Sequence, residues 1–262
     1  MFDGGYMMKN RRKLTANSSG QLLIIAALAI AIMISSATIY VYELSTETNK
    51  IDSYSISDII LALKQSTTNT LISSLANISK GGDKAILEAN LNSLSEAFTN
   101  LNQLGMCHQS FTLINDSKYT FGIYLSWNTN GLGVSNAYTN FTLEVQSMIA
   151  NVAVDYAVNI TTAVAINGSY IRLEGDEKLV NLTCVVSNEE QPALARNITL
   201  FYENLGIWIP VNSSNNLSII NYGNGTYLLS FTVTISSDFQ VSTHVYDLRD
   251  IHVQANTTCT DA

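Results

Sequence analysis

Hydrophobic and polar positions divide this chain of 262 residues into three regimes. From Leu22 to Tyr42 run 21 residues without a charged side chain. At 1.5 Å per residue such a helix crosses about 30 Å, the thickness of a bilayer's hydrocarbon core, which predicts a transmembrane or signal-anchor helix over 21–43. Beyond it the apolar positions recur at helical spacing: Ile56, Ile59, Ile60 and Leu63, then Leu71, Leu75 and Ile78. Gly81-Gly82-Asp83 interrupts the pattern, with Asp83 placed to cap a second helix. In that helix Leu87, Leu91, Leu94, Phe98 and Leu101 alternate by four and three, and Gly105 ends it. The spacing predicts two antiparallel helices between Ser55 and Leu104, a hairpin or stalk within 44–106 that packs on its own β-structure.

From Phe111 the period changes to two and the residues become strand formers. Tyr119–Leu125, Thr139–Met148 and Val152–Ile166 read as strands, with Asn167-Gly168 as a turn into Tyr170–Leu173. Asn128-Thr129-Asn130 and Gly131-Leu132-Gly133 read as a hairpin loop. This makes 107–175 a β-layer covered by the helices, closed by the polar turn Gly175-Asp176-Glu177. Seven short strands follow in 176–262: Leu179–Ser187, Ile198–Glu203, Ile207–Val211, Ser218–Tyr222, Tyr227–Ile235, Val241–Tyr246 and Ile251–Ala255. Asn204-Leu205-Gly206 and Gly223-Asn224-Gly225 supply positive-φ hairpin turns between them. That density predicts a β-sandwich. The fold class is therefore α+β: a membrane helix, a helical hairpin, then mostly antiparallel β.

Charge and glycan acceptors fix a topology. Lys9, Arg11, Arg12 and Lys13 precede the apolar segment, whereas Glu43 and Glu47 follow it. The positive-inside rule keeps a basic leader, 1–20, in the cytoplasm and places everything past the membrane outside the cell. The exported part carries nine basic and twenty acidic residues, about −11, and no basic patch, which excludes nucleic acid as a partner. Charged residues are only 13% of the chain, so uncharged polar groups and sugars must keep its surface soluble. Eleven exported asparagines head Asn-X-Ser/Thr acceptors: Asn77, Asn115, Asn140, Asn159, Asn167, Asn181, Asn197, Asn212, Asn216, Asn224 and Asn256. That is roughly twice the number chance gives for this composition.

The apolar segment has three fates. As an uncleaved anchor it leaves a single-pass protein, in contact with lipid through residues 22–42. As a secretory signal it has small residues at Ser35-Ser36-Ala37 for cleavage between Ala37 and Thr38. The third fate rests on a resemblance. Gly20-Gln21 followed by an uninterrupted apolar helix resembles the N-terminus of archaeal type IV pilin-like proteins over about the first 45 residues. The likeness implies cleavage between Gly20 and Gln21 and a helix that polymerises as a filament core. Ser18 and Ser19 stand where that family has a basic residue, and Ile25 where many members carry glutamate. At the other end, Asn224-Gly225-Thr226-Tyr227 resembles the turn before a late strand of immunoglobulin-like domains, with Leu229 in the place of the second cysteine.

Catalytic and metal chemistry find little support. His108, His244 and His252 are the histidines; His244 and His252 are eight apart but separated by a turn near Asp247–Asp250, and they read as surface or turn residues. Asp176-Glu177 and Glu189-Glu190 are adjacent pairs facing opposite ways along a strand, better read as solvated loops than as acid/base machinery. Asp247 and Asp250 form a weak calcium candidate. No cofactor is expected. Of the three cysteines, Cys184 and Cys259 are the candidate disulfide and Cys107 the odd thiol. Trp127 and Trp208 either fill the core or meet a glycan or partner protein. The sequence as a whole predicts a glycosylated, non-catalytic cell-membrane protein with its C-terminal domain outside. Its role would be structural or adhesive, with itself, other surface proteins or glycans as partners. A filament subunit is the alternative, and a secreted binding protein or surface enzyme the third reading.

Overall fold

Among the described residues these alternations form two α-helices and thirteen strands. The computed structural model describes residues 56–100, 106–127, 130–146 and 151–262. All of them belong to one compact unit, Ser55–Ala262. The candidate processing positions Gly20, Gln21, Ala37 and Thr38, the apolar stretch 22–42 and Leu101 lie outside the described residues. Among the described residues no helix is long and apolar enough to cross a membrane.

Helix α1 (Ile56–Ile78) and helix α2 (Ala85–Asn100) form where the apolar spacing predicts them. The Asp83 carboxylate accepts from Ala85 N at 2.9 Å, capping α2. Leu87, Leu91 and Phe98 of the expected seam are buried against α1 and the sheet beneath.

The strands are β1 (Met106–Leu113), β2 (Ile123–Trp127), β3 (Leu132–Gln146), β4 (Asn151–Arg172), β5 (Glu177–Asn188), β6 (Gln191–Pro192), β7 (Ala195–Asn204), β8 (Ile207–Pro210), β9 (Ser218–Asn221), β10 (Thr226–Thr234), β11 (Gln240–Asp247), β12 (His252–Thr258) and β13 (Thr260–Asp261). They make two sheets. The larger runs β1-β3-β4-β5-β10-β9, with β2 on β3, β6 on β5 and β13 on β4; the smaller runs β12-β11-β7-β8. Every pairing is antiparallel except β13 with β4. The fold is α+β and mostly antiparallel β.

All seven strands expected in 176–262 form, and Leu205 and Gly206 make the β7–β8 turn with φ of 53° and 80°. The expected partition at Gly175 is corrected. Gly175-Asp176-Glu177 is part of the β4–β5 hairpin turn, and the β4–β5 ladder runs from Arg172↔Lys178 to Thr162↔Asn188. Asn167-Gly168 is not a turn either, because both residues lie inside the 22-residue β4. Gly168 is there for space: a Cβ on it would come within 2.3 Å of Leu182 Cδ2 and 2.9 Å of Cys259 Sγ.

Even-numbered residues of β4 point inward along its whole length, but what covers them changes. Tyr156, Val158 and Ile160 pack into the helix-side core with Leu71, Leu75 and Leu87. Val164, Ile166 and Tyr170 pack into the sandwich core with Leu182, Leu229 and Val253. The change falls at Thr162.

The immunoglobulin-type placement of Leu229 and the expected Cys184–Cys259 bridge are also corrected. Leu229 pairs with Leu182 on the neighbouring strand of the same sheet, so it holds no cross-sandwich cysteine position. Cys184 and Cys259 are buried free thiols, not a disulfide. Cys259 Sγ sits over Gly168, whose register partner is Leu182; Cys184 is two residues further along β5, about 7 Å. Burial pushes both thiols up to about 12. Tyr227 does act as a corner residue, its hydroxyl accepting from Ala195 N at 2.7 Å.

Close backbone approach makes a testable difference between two glycines. At Gly133 the obstacle to a Cβ is backbone, Gln254 O at 2.1 Å, whereas at Gly168 it is two side chains. Gly133→Ala is expected to cost about 3 kcal/mol or more and Gly168→Ala about 1–3 kcal/mol, read as urea-midpoint shifts. Adding Cys259→Ala should recover part of the second loss and none of the first.

Candidate functional site: the polar seam between the two cores

Where the helix-side core meets the sandwich core, the β11–β12 hairpin brings charged and imidazole groups together. Ile251 belongs to the first core and Val253 to the second, so this hairpin straddles the boundary. Asp247, at the end of β11, is fully buried. Its carboxylate accepts from Thr162 Oγ1 (2.9 Å), Arg249 N (2.9 Å), Arg249 Nε (2.8 Å) and Ile251 N (2.9 Å). A buried carboxylate in an apolar core must be met by donors on every side, and these four do so.

Arg249 extends the network. Its Nη1 donates to Glu189 at 2.8 and 3.0 Å, and its Nη2 donates to Thr161 O and Thr162 Oγ1, both at 3.0 Å. Glu189 also accepts from Thr161 N at 2.9 Å. The residue is therefore a structural anion, where a solvated loop was expected. It occupies the β5–β6 turn with φ of 47°, a left-handed conformation uncommon outside glycine.

Asp250 faces outward and meets Lys80 Nζ at 2.5 Å and Arg196 Nη1 at 3.4 Å. The Lys80 hydrogen bond, opposed by a small burial cost, lowers its carboxyl below the usual range. Asp247 and Asp250 thus carry protein cations and backbone donors where a calcium site was the candidate. Among the described residues no three His, Cys, Asp or Glu side chains group as metal ligands.

His252 and His244, expected as separate surface residues, are in contact. Tyr246 pairs with His252 and His244 with Gln254, which makes the histidines diagonal neighbours across the hairpin. His252 Nε2 lies 3.3 Å from His244 Nδ1, and His252 Nδ1 lies 3.1 Å from Ser79 O. A carbonyl only accepts, so His252 carries its proton on Nδ1, and His244 Nδ1–H donates to His252 Nε2. His252 N also donates to Ser79 Oγ (3.0 Å), and Ser135 Oγ donates to His252 O (2.7 Å). Trp127 packs edge-on to His252 at 5.1 Å and donates from Nε1 to Ser135 Oγ at 3.3 Å. Tyr246 at 4.9 Å from His252 and Phe201 at 4.8 Å from His244 complete the cluster. Trp208, by contrast, is 41% exposed on β8.

Burial, and then the neighbouring His252, pushes His244 down to about 4; burial lowers His252 as well. Both rings are neutral at physiological pH. Three of the four ring nitrogens are used in holding α1's end, β11 and β12 together. The seam holds elements in place and presents no nucleophile–base pair. The positions of Asp247, Arg249 and Asp250, three charges in a four-residue turn of a chain poor in charge, were the one sequence signal for it. Ser79 and Thr162 gave none. Comparison with known families, with curated proteins and with solved structures finds no match to this chain.

The seam makes stability depend on pH and on one carboxylate. Below pH 6.5 the unfolded chain binds protons that folded His244 refuses until about pH 4. Stability is therefore complete above pH 6.5 and falls as pH drops toward 4, by up to about 1.4 kcal/mol per pH unit for one group. Urea unfolding at pH 7, 6 and 5 should show that slope, and His244→Gln should flatten it. Asp247→Ala is expected to cost about 3–5 kcal/mol, because it takes one of two anions from the part-buried Arg249 and leaves the Arg249 and Ile251 backbone N–H groups without their acceptor. Glu189→Gln, at the exposed end of the network, should cost less.

Proposed function

We propose that this chain is an exported, glycosylated, non-catalytic surface protein, held in the membrane by residues 22–42 with its folded part outside the cell. The observation that carries the reading is the placement of the acceptor asparagines. Nine of the eleven (Asn77, Asn115, Asn140, Asn159, Asn167, Asn197, Asn212, Asn216 and Asn224) are exposed, and Asn181 and Asn256 are half-buried. All are on strand faces, turns or the end of α1, where an oligosaccharide meets no core. Asn136, which heads no acceptor, is by contrast 4% exposed.

The sandwich supports the same class. Strands β4-β5-β10-β9 face β12-β11-β7-β8, an order matching A-B-E-D over G-F-C-C′ of immunoglobulin-like domains, which many cell-surface proteins use. Such a body, joined without a linker to the helix layer, suits a structural or adhesive role, with other surface proteins or glycans as partners. The second reading is a pilin-like filament subunit cut between Gly20 and Gln21. It is favoured by the absence of Gly and Pro from Gln21 to Lys80, which permits nearly unbroken helix from the apolar segment into α1.

The test is the mass and N-terminal sequence of the protein from membranes of its native host, with glycopeptide mapping. An intact start with sugars on the exported acceptors is the expected result. A chain starting at Gln21 favours the filament subunit, and one starting at Thr38 a secreted protein. Absence of sugar from every acceptor, with the folded part on the cytoplasmic side of sealed vesicles, defeats the proposal.

A further inference from the structure

The acceptor asparagines in strands differ in what stands beside them. Cross-strand neighbours hold their Cβ atoms about 4.5–5.5 Å apart, close enough for whatever one carries to rest on the other. Asn140 stands opposite Ala157, Asn159 opposite Tyr138, Asn167 opposite Thr183, Asn181 opposite Ser169 and Asn256 opposite Ser242. Asn197 stands opposite Tyr246.

Asn197 and Tyr246 lie on the face of the smaller sheet turned away from the sandwich core. Asn197 is exposed and Tyr246 half-buried. Tyr246 is the first of a run of rings on that face: it touches His252, which touches His244, which touches Phe201, at centroid distances of 4.9, 5.2 and 4.8 Å. Thr199, which completes the acceptor, points the same way as Asn197 and stands opposite His244. Ser242, which stands directly opposite Phe201, is 1% exposed. The strip carries no formal charge at neutral pH, with both histidines neutral.

A pyranose ring has one face made largely of C–H groups, and such a face gains by covering an aromatic ring that is apolar at its centre and wet at its edge. A sugar on Asn197 Nδ2 begins within about one ring's width of Tyr246 and extends along the strip. We propose that the N-linked saccharide of Asn197 lies down across Tyr246 and His244 toward Phe201, so that this modification is part of the protein's packing. The inference rests on the export and glycosylation proposed above. It gives Asn197 a role that Asn224, in the tight β9–β10 turn, does not share.

Thr199→Val abolishes the acceptor while leaving Asn197 and the strand-forming shape of residue 199 in place. Full-length protein in detergent, purified from the native host and from a host without N-glycosylation, gives the two arms. In the glycosylated protein Thr199→Val is expected to lower Tm by about 3 °C; in the unglycosylated protein it should change nothing. Thr226→Val, which removes the Asn224 acceptor, should be neutral in both. In a Tyr246→Ser background the glycosylated and unglycosylated proteins should differ less. A glycan found on Asn197 by mass spectrometry, with Thr199→Val behaving alike in both hosts, overturns this inference and leaves the proposed function standing. Absence of any glycan on Asn197 when other acceptors are occupied overturns it as well. Absence from every acceptor overturns both.

Discussion

A strand of 22 residues extends roughly 70 Å, and its buried backbone groups must find hydrogen-bond partners along that length. No single neighbour does this for β4. Strand β3 takes one edge from Asn151 to Ala165, and β5 takes the other from Thr162 to Arg172. Where β3 has ended, β13 fills the vacated edge beside Ser169 and Tyr170, and Ala262 N donates to Tyr170 O. The same strand is thus the floor of a helix-covered layer at one end and an outer strand of a sandwich at the other. A flexible linker between the two would let them reorient; a continuous ladder does not. The polar seam is the consequence. Wherever the cover changes from helices to sheet, backbone and side-chain groups meet an edge of each cover, and Thr162, Asp247, Arg249 and Ser79 satisfy them there.

The seam sets the arrangement more than it adds stability. Replacing a buried ion pair by well-packed apolar residues is often neutral or favourable, while removing one partner is costly. Asp247 accepts four hydrogen bonds in fixed directions, from β4 and from its own hairpin turn. Leucine at that position could fill the volume but would accept sliding of the hairpin along β4. The Ser79–His252 bonds hold the end of α1 to β12 with the same directional demand. At the far end Lys178, 4% exposed, donates to Ser237 O at 2.6 Å and lies over Tyr170 at 4.3 Å, so the sandwich is closed there by a lone cation and aromatic rings.

Local pattern was enough for the elements but not for their joints. The strands of 176–262 alternate cleanly and sit between glycine and asparagine turns, so each was legible, as were α1, α2 and the Asp83 cap. The reading of β4 failed at Asn167-Gly168 because a glycine wanted for close approach looks in sequence like a glycine wanted for a turn. What separates them is the presence of Leu182 and Cys259 overhead, a tertiary fact. The expected disulfide failed for a related reason: sequence places Cys184 in an early strand and Cys259 past a late one, but the thiols differ by one pleat in register. The histidine contact depended on the length of the β11–β12 turn. Four residues, Leu248 to Ile251, set His252 opposite Tyr246 and so diagonal to His244. One residue more or fewer would have put the rings on opposite faces.

The distribution of acceptors limits how such a protein meets its surroundings. Asn140, Asn159, Asn167 and Asn181 all lie on the face of the larger sheet turned away from both cores. Sugars there would cover a face made mostly of Ala, Thr, Ser and Asn, with few charges beyond Glu144 and Asp155 to keep it from other sheets. Asn212, Asn216 and Asn224 flank β9, a free edge with Ile219 and Ile220 44% and 49% exposed. Edge strands are normally guarded by lysine, proline or a bulge; β9 has none of these, and bulky glycans beside it would serve instead. Apolar side chains away from these acceptors include Leu205 and Ile207 of the β7–β8 hairpin, 94% and 66% exposed, and Leu248 of the β11–β12 turn, 66% exposed. A coat of the proposed sugars on the broad face and along one edge would leave such hairpin tips for contact with other molecules.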